Sequence, residues 1–227
     1  MSRTKISKSC SDKKVLVIVS HPDDEVLGCG GLLMEYHVRN YKTYVLYLNN
    51  GCHYRNNFDA SEIKNQIHNV AKILGFHPII ENLKSGEFDS YGQRYINDIV
   101  KSYVDKIQPE IVVTHISNDL HHDHQITNIA SMVASRFMHN SCVKKILEMP
   151  VISSSEINPK FDFTPNLFLD ISQYIDLKQM AMEEYVYEVE SFNELRGKSG
   201  IEGWARFYGM HIGVEYAEAY KIVRECL

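Results

Sequence analysis

Two short clusters of histidine and aspartate could together bind a divalent metal ion. The first is His21-Pro-Asp-Asp-Glu25, and the second is His121-His-Asp-His124. Imidazole nitrogens and carboxylate oxygens are both ligands for Zn²⁺, and a catalytic zinc site usually has three protein ligands and one position for water. His21 and Asp24 can supply two ligands, and the second cluster can supply a third histidine. Asp23 would then lie beside the metal as a carboxylate that need not bind it.

Each cluster also has a plainer interpretation as a polar loop. Asp24 or Glu25 could cap the helix that follows the first cluster, and Asp123 could cap a helix that begins at Gln125. Four consecutive ionisable residues, however, are costly to bury and do not serve a hydrophobic core. Because both clusters directly follow hydrophobic strands, one shared metal site explains them better than two unrelated loops.

The elements around the clusters predict an α/β fold. Lys14–Val19 and residues 110–115 are continuous runs rich in β-branched residues, as in strands buried on both faces of a parallel sheet. Further strands are predicted at 43–48, 78–83 and 145–152, and helices at 31–39, 61–74, 93–107 and 125–139. This alternation indicates a single Rossmann-like domain, with a mainly parallel central sheet flanked by helices. Ligands bind such sheets beyond the carboxyl ends of the strands, where both clusters lie.

The chain divides into a short tail and one domain. Residues 1–13 are predicted to be a flexible N-terminus, and residues 14–227 to form the domain. Within it, residues from about 165 to 227 are expected to form a C-terminal part that closes the site. That part should contain a strand at 166–172 and one long helix at 174–195.

Composition excludes several classes of function. The 227 residues carry a formal net charge of −5 and no block rich in Lys and Arg, which argues against nucleic acid as a partner. The longest apolar run near the start, Val15 to Val19, is too short for a signal peptide or a membrane span. Five scattered cysteines without a C-x-x-C pair argue against a disulfide framework. A cytoplasmic protein without a membrane partner is therefore expected.

The order of the two clusters resembles a known enzyme family. Val17-Ile-Val-Ser-His-Pro-Asp-Asp-Glu25, then Gly28-Cys-Gly-Gly31 and later His121-His-Asp-His124, is similar to the PIG-L/LmbE-like zinc-dependent N-deacetylases. The resemblance covers nearly the whole chain. It also includes Ala71-Lys-Ile-Leu-Gly75, Asp170-Ile-Ser172 with Lys178, Ala205-Arg206 with Gly209 and Gly213, and Tyr216-Ala-Glu-Ala-Tyr220.

The resemblance implies a role for each residue of the clusters. The implied metal ligands are His21, Asp24 and His124. Asp23 is implied as the general base that takes a proton from water at the metal. His121 would stabilise the oxyanion or protonate the leaving amine, and Asp123 would orient and charge it. Zinc is the expected metal, and Fe²⁺ or Co²⁺ could use the same ligands.

Three neighbours of these residues have other expected roles. Glu25 is expected to cap the following helix or to support a ligand, and His122 is expected to face solvent. His115 ends the fourth predicted strand. Packing is the favoured role for His115, with contact to the metal ligands as the alternative.

The substrate-binding residues depart from the family pattern. Several members carry an arginine and a glutamate three residues apart in the second helix, where this chain has Ile63 and Gln66. The segment from Tyr185 to Glu188 stands where the family has His-x-Ser-Gln. The candidate substrate-binding residues are Arg55 (with Lys64 as the alternative), Tyr185 and Arg206.

The expected activity is removal of an N-acetyl group from an amino sugar or sugar conjugate, including a nucleotide-linked one. One alternative is an amidase for another small molecule, such as a thiol or antibiotic conjugate. Another is an inactive sugar-binding protein. Two histidines and a carboxylate also form the triad of non-haem iron oxygenases, but the α/β pattern and Asp23 favour hydrolysis. A homo-oligomer is compatible with the sequence.

Overall fold

A mixed sheet of seven strands lies at the centre of the structure. We describe it from a computed structural model that defines residues 13–51, 60–137, 142–191 and 193–226. The strands are β1 (Lys14–Val19), β2 (Lys42–Asn49), β3 (His77–Leu83), β4 (Ile111–His115), β5 (Lys145–Met149), β6 (Leu167–Asp170) and β7 (Ala217–Glu225). Their order in the sheet is β3-β2-β1-β4-β5-β7-β6. The first five strands pair in parallel, and β7 pairs antiparallel with both β5 and β6.

Helices cover both faces of the sheet. Within the described ranges they are α1 (Asp24–Val38), α2 (Ala60–Leu74), α3 (Gln93–Ile107), α4 (His122–Ala134), α5 (Ile175–Glu183), α6 (Val186–Ser191), α7 (Asn193–Arg196) and α8 (Lys198–Ile212). None of these described helices combines the length and the apolar character needed to cross a bilayer. The predicted α/β fold with a mainly parallel central sheet is confirmed.

The hydrophobic run of β1 explains why the sheet is buried on both faces. Side chains alternate between the two faces of a strand. Val15, Val17 and Val19 lie in one core cluster, whereas Leu16 and Ile18 lie in the other. All five are fully buried, so an apolar residue is required at every position.

The prediction of one helix at 174–195 is wrong. The chain forms the three helices α5, α6 and α7 there. Tyr185 lies at the first break, and its buried hydroxyl donates a hydrogen bond to Glu25 at 2.7 Å. A straight helix is not required once tertiary contacts of this kind compensate for the interruption.

The sequence pattern also missed the antiparallel strand β7. Its first four residues are buried, and the remaining five alternate between exposed and half-buried positions. It lies between β5 and β6, although it is last in the chain. The C-terminal part therefore contributes two strands to the sheet edge as well as four helices.

The order of the strands places both clusters at one edge. β1 pairs with β2 on one side and with β4 on the other. Successive strands are therefore added toward one edge of the sheet up to β3 and toward the opposite edge from β4 onward. A crevice forms at such a switch point, beyond the carboxyl ends of the strands. His21 follows β1 directly, and the second cluster follows β4.

Candidate metal centre and active site

Two helix N-termini bring the predicted ligands together. Asp23 has φ 102° and ψ −30°, a conformation that non-glycine residues rarely adopt. This turn starts α1 directly after the strand, with the Leu27 amide donating to the Asp23 carbonyl at 3.0 Å. At the other strand, His121 caps α4, and its Nδ1 accepts a hydrogen bond from the Asp123 amide at 3.3 Å. α4 therefore begins at His122, three residues earlier than predicted.

The three predicted metal ligands are neighbours in the structure. Oδ1 of Asp24 lies 3.3 Å from Nε2 of His124, and Oδ2 of Asp24 lies 3.7 Å from Nδ1 of His21. Two overlapping sets have potential ligand atoms within 4.8 Å of one another. These sets are Asp24, His115 and His124, and His21, His121 and His124.

The donor set fits a divalent cation. Among the described residues, the buried Nε2 atom of His124 has no hydrogen-bond partner, although it lies close to Asp24. Burial opposes ionisation of Asp24, but the imidazoles of His124 and His115 hold its pKa well below the ordinary value. Burial likewise opposes protonation of His124, yet Asp24 and Asp119 raise its pKa to about 10. The pocket thus favours positive charge between these groups.

His115 belongs to this cluster. Its side chain is fully buried, and its ring stacks on that of His124 at 3.9 Å with an interplanar angle of 9°. Nε2 of His115 accepts a hydrogen bond from the Ser20 amide at 3.0 Å and lies 3.5 Å from Asp24. The less favoured expectation, contact with the metal ligands, is the one the structure supports.

Asp119 is a site residue that sequence reasoning missed. Its Oδ2 lies 3.3 Å from Nδ1 of His124, and its Oδ1 accepts a hydrogen bond from the His121 amide at 2.8 Å. The hydroxyls of Ser154 and Ser155 donate to Oδ2 as well. Burial raises the pKa of this carboxyl, but the hydrogen bonds and charge attraction from His124, Ser155 and His115 together outweigh it and the pKa falls to about 2. An aspartate between the fourth predicted strand and His124, five residues before that predicted ligand, was the available signal.

The carboxylate of Asp123 contacts a different histidine from the one expected. Its Oδ2 lies 3.0 Å from Nε2 of His21 and accepts a hydrogen bond from the Gly86 amide at 2.7 Å. Toward His121, Asp123 donates its backbone amide to Nδ1, and its carboxylate favours the charged ring without outweighing burial. The role of Asp123 in orienting and charging His121 stays a prediction. Burial, together with the imidazoles of His21 and His124, lowers the pKa of His121 to about 4. This shift opposes the charged form expected of His121, and the catalytic role of His121 stays a prediction.

Asp23, the predicted base, is enclosed by two contacts. Its amide donates to Oε2 of Glu25 at 3.1 Å, and its Oδ2 accepts a hydrogen bond from Arg196 at 2.7 Å. Burial raises the pKa of Asp23 well above its ordinary value, and the guanidinium opposes that shift. Glu25 supports the loop rather than a ligand, and burial raises its pKa to about 7. His122 is exposed, as predicted.

The three predicted substrate-binding residues have different surroundings. Arg55 lies outside the described residues. Tyr185 is buried and bonded to Glu25. Arg206 lies on α8, where its Nη2 donates to the Tyr216 hydroxyl at 2.5 Å and its guanidinium lies over the Tyr216 ring. Neither Tyr185 nor Arg206 contacts the predicted metal ligands, and substrate binding by these residues stays a prediction.

The residues that depart from the family pattern line one cavity. This cavity lies beside Pro22, in the loop that carries His21, Asp23 and Asp24 and is called the metal loop below. Its lining residues are Pro22, Gly51, Ile63, Gln66, Tyr185, Tyr187 and Glu188. Ile63 and Gln66, which stand where the family pattern has an arginine and a glutamate, are uncharged, whereas Glu188 brings a carboxylate to the same cavity.

Together these features define an α/β enzyme fold with a candidate metal centre at the switch point of its sheet. Residues 16–135, more than half of the 227, match the model of the PIG-L family, described as GlcNAc-PI de-N-acetylase. The chain belongs to the PIG-L family. It is an N-deacetylase, a hydrolase of linear amides.

Solved structures share this fold at low sequence identity. N,N'-diacetylchitobiose deacetylase from Pyrococcus horikoshii is 21% identical, with a TM-score of 0.76 over 94% of this chain and 85% of that chain. The A40926 pseudoaglycone deacetylase Dbv21 is 16% identical, with a TM-score of 0.76 over 94% and 98%. GalB, the 4-carboxy-2-hydroxymuconate hydratase of Pseudomonas putida KT2440, is 16% identical, with a TM-score of 0.75 over 95% and 98%. One of the three is a hydratase, so the fold alone does not determine the reaction.

Proposed function

We propose that this chain is a zinc-dependent deacetylase that removes the N-acetyl group from an amino sugar or a sugar conjugate. The observation that carries the proposal is the buried cluster of His21, Asp24 and His124, with the carboxylate of Asp23 directly beside it. Two histidines and one carboxylate match the donor set of catalytic zinc sites. Zinc bound by them would polarise the amide carbonyl and make a nearby water more acidic.

The residues around the cluster have complementary roles in this proposal. Asp23 accepts the proton that water loses as it attacks the amide carbon. Because Nδ1 of His121 accepts the Asp123 amide, a neutral His121 carries its proton on Nε2. This N–H can stabilise the developing oxyanion without a charged imidazole. The leaving amine then takes up the proton that Asp23 received.

An acetylated sugar is the favoured substrate class. The family description names GlcNAc-PI, and the Pyrococcus structure is of a diacetylchitobiose deacetylase. An antibiotic conjugate is the second candidate, since the Dbv21 structure is of a pseudoaglycone deacetylase. The cavity beside Pro22 favours a substituent without negative charge in either case, because an anion there would face the carboxylate of Glu188 and would lack a cationic partner among the described lining residues.

The test combines metal analysis with acetate release. The purified chain, reconstituted with Zn²⁺, Fe²⁺ or Co²⁺, is incubated with N-acetyl amino sugars, their nucleotide and lipid conjugates, and acylated glycopeptide aglycones. We expect Asp23→Ala to keep the metal and to lose activity by about 10²- to 10⁴-fold. His124→Ala should lose the metal itself.

Asp98→Asn is the matched control, since Asp98 is exposed and pairs only loosely with Arg94. It should retain both metal and activity. Failure to bind any divalent metal after reconstitution would disprove the metal-dependent mechanism. Metal-dependent turnover that survives Asp23→Ala would disprove the assignment of the base.

A further inference from the structure

The guanidinium of Arg196 links the C-terminal helices to the predicted base. Arg196 ends α7, 173 residues after Asp23 in the chain. Its Nη1 donates to Oδ2 of Asp23 at 2.7 Å, and its Nε donates to the hydroxyl of Ser153 at 2.8 Å. Nη1 also bonds to Glu188 on α6. One planar group thus joins the metal loop, the loop after β5 and α6.

This ion pair is largely shielded from water. The side chain of Asp23 is 4% exposed and that of Arg196 is 17% exposed. A shielded pair is held more firmly than a surface pair, because solvent does not screen it and because loss of one partner leaves a buried charge. The guanidinium is planar, and its fixed N–H donors restrict the direction of its hydrogen bonds, which the rotating donors of an ammonium group do not.

The geometry at Asp23 restricts its carboxylate to one arrangement. The backbone lies in an uncommon region at φ 102°, and the amide is bonded to Glu25. Arg196 then binds Oδ2. Among the described residues, no hydrogen bond is formed with Oδ1, so this second oxygen is left for a proton from water.

We infer that Arg196 is a positioning residue that holds Oδ2 of Asp23 and thereby directs Oδ1 toward the reacting water. The inference rests on the proposed function, in which Asp23 is the general base. Glu188 and Ser153 complete the device, because they hold the guanidinium through its Nη1 and Nε atoms. The C-terminal helices therefore contribute to catalysis through Arg196 rather than through direct contact with the metal ligands.

The kinetic test compares Arg196→Ala, Arg196→Lys and Arg196→Gln in the reconstituted full chain. We expect Arg196→Ala to lower kcat by roughly 10- to 100-fold while KM changes much less, since a displaced catalytic group reduces turnover more than binding. Arg196→Lys should recover only part of kcat, because it keeps the charge without the fork. Added guanidinium should restore activity to Arg196→Ala and leave Arg196→Lys unchanged.

Arg94→Ala is the matched control, because the Arg94 side chain is 97% exposed. It should leave kcat unchanged and should not respond to guanidinium. An unchanged kcat in Arg196→Ala would overturn the inference. The inference would also be overturned if Arg196→Ala is folded and metal-loaded, but neither added guanidinium nor the Arg196→Lys substitution recovers any of its lost kcat. That result would indicate a purely structural role.

A second measurement does not need a substrate. Melting temperatures are compared for wild type, Arg196→Gln, Asp23→Asn and the double variant, all free of metal. We expect Arg196→Gln to lower the melting temperature of wild type and to lower it less when Asp23→Asn is already present, because position 23 then carries no buried charge that needs the guanidinium. Equal shifts in both backgrounds would overturn the coupling. If the coupling is present but wild type cleaves no amide, the proposed function fails while the restraint on Asp23 stands.

Discussion

At the scale of single residues, carboxylates outside the predicted ligand set hold two of the predicted ligands and the loop that carries Asp23. Asp119 contacts His124, Asp123 contacts His21 and Glu25 contacts the amide of Asp23. Residues of this kind fix the tautomer and the orientation of metal-binding histidines. Each contact lies in a buried region, where hydrogen bonds and charges act strongly.

Asp119 provides the first prediction at this scale. Asp119→Asn removes the negative charge next to Nδ1 of His124 while keeping the shape of the side chain. We expect zinc affinity to fall roughly 10- to 100-fold, as is usual when the partner of a metal-bound histidine is lost. The measurement is competition with a chromophoric chelator at neutral pH.

The control for this experiment is Asp105→Asn. Asp105 is exposed on α3 and bonds to Lys101, so its variant should bind zinc as wild type does. Unchanged zinc affinity in Asp119→Asn would show that His124 is oriented without this carboxylate.

At the scale of elements, the break in α1 is stabilised from the far end of the chain. Cys29 has φ −150° and ψ 26°, so α1 consists of two helical segments. The carboxylate of Glu218 on β7 accepts hydrogen bonds from the amides of Gly31 and Leu32 at 2.8 and 2.9 Å. Lys178 of α5 bonds to the same carboxylate at 2.6 Å. Glu218 and Lys178 therefore support the helix that begins at Asp24. Both lie in segments that carried part of the family resemblance.

Removal of Glu218 should destabilise the chain severely. Both Glu218 and Lys178 have side chains that are 5% exposed, so Glu218→Leu leaves an unpaired buried ammonium. We expect the free energy of unfolding to fall by about 3 to 5 kcal/mol. Adding Lys178→Met should recover part of this loss, because no buried charge remains. Urea unfolding followed by circular dichroism measures both.

The control is Asp98→Asn, which alters an exposed ion pair. It should change the free energy of unfolding by less than about 0.5 kcal/mol. If the double variant is as unstable as Glu218→Leu or less stable, the lost caps of Gly31 and Leu32 dominate rather than the uncompensated charge.

At the scale of the whole molecule, the site is assembled at a cost to stability. Burial raises the pKa of Glu25 from 4.5 to about 7, against the opposing hydrogen bond from Tyr185. The folded state therefore holds this proton more tightly than the unfolded state does. Stability falls as pH rises from about 4.5 to 7, and the penalty stays constant at higher pH.

This penalty can be measured with Glu25→Gln in the metal-free chain. A shift from 4.5 to about 7 corresponds to a penalty on the order of 3 kcal/mol. Over this pH range we expect the free energy of unfolding of wild type to fall relative to that of Glu25→Gln. Urea unfolding at a series of pH values provides the comparison, with Glu87→Gln at an exposed carboxylate as the control. A difference between Glu25→Gln and wild type that does not vary with pH would contradict the prediction.

The central strands and the positions of the predicted ligands could be read from local sequence. In β1 every residue must be apolar because both faces are covered, and such a run is visible without any knowledge of its neighbours. α3 was predicted with its observed bounds, since the buried side of Gln93–Ile107 repeats with helical spacing. The two clusters then follow strand ends, and parallel strands bring those ends to one edge.

Contacts between distant segments were decided by the tertiary structure alone. Nothing near Arg196 in the sequence indicates that it reaches Asp23, and nothing near Asp123 indicates His21 as its partner. The position of β7 inside the sheet was equally hidden, because five of its nine residues are exposed or half-buried. Local periodicity reports which face of an element is buried, whereas the partner across the core depends on how all the elements pack. The sequence therefore determined the fold class and the two clusters of candidate ligands, and only the three-dimensional packing decided which further groups surround them and hold them in place.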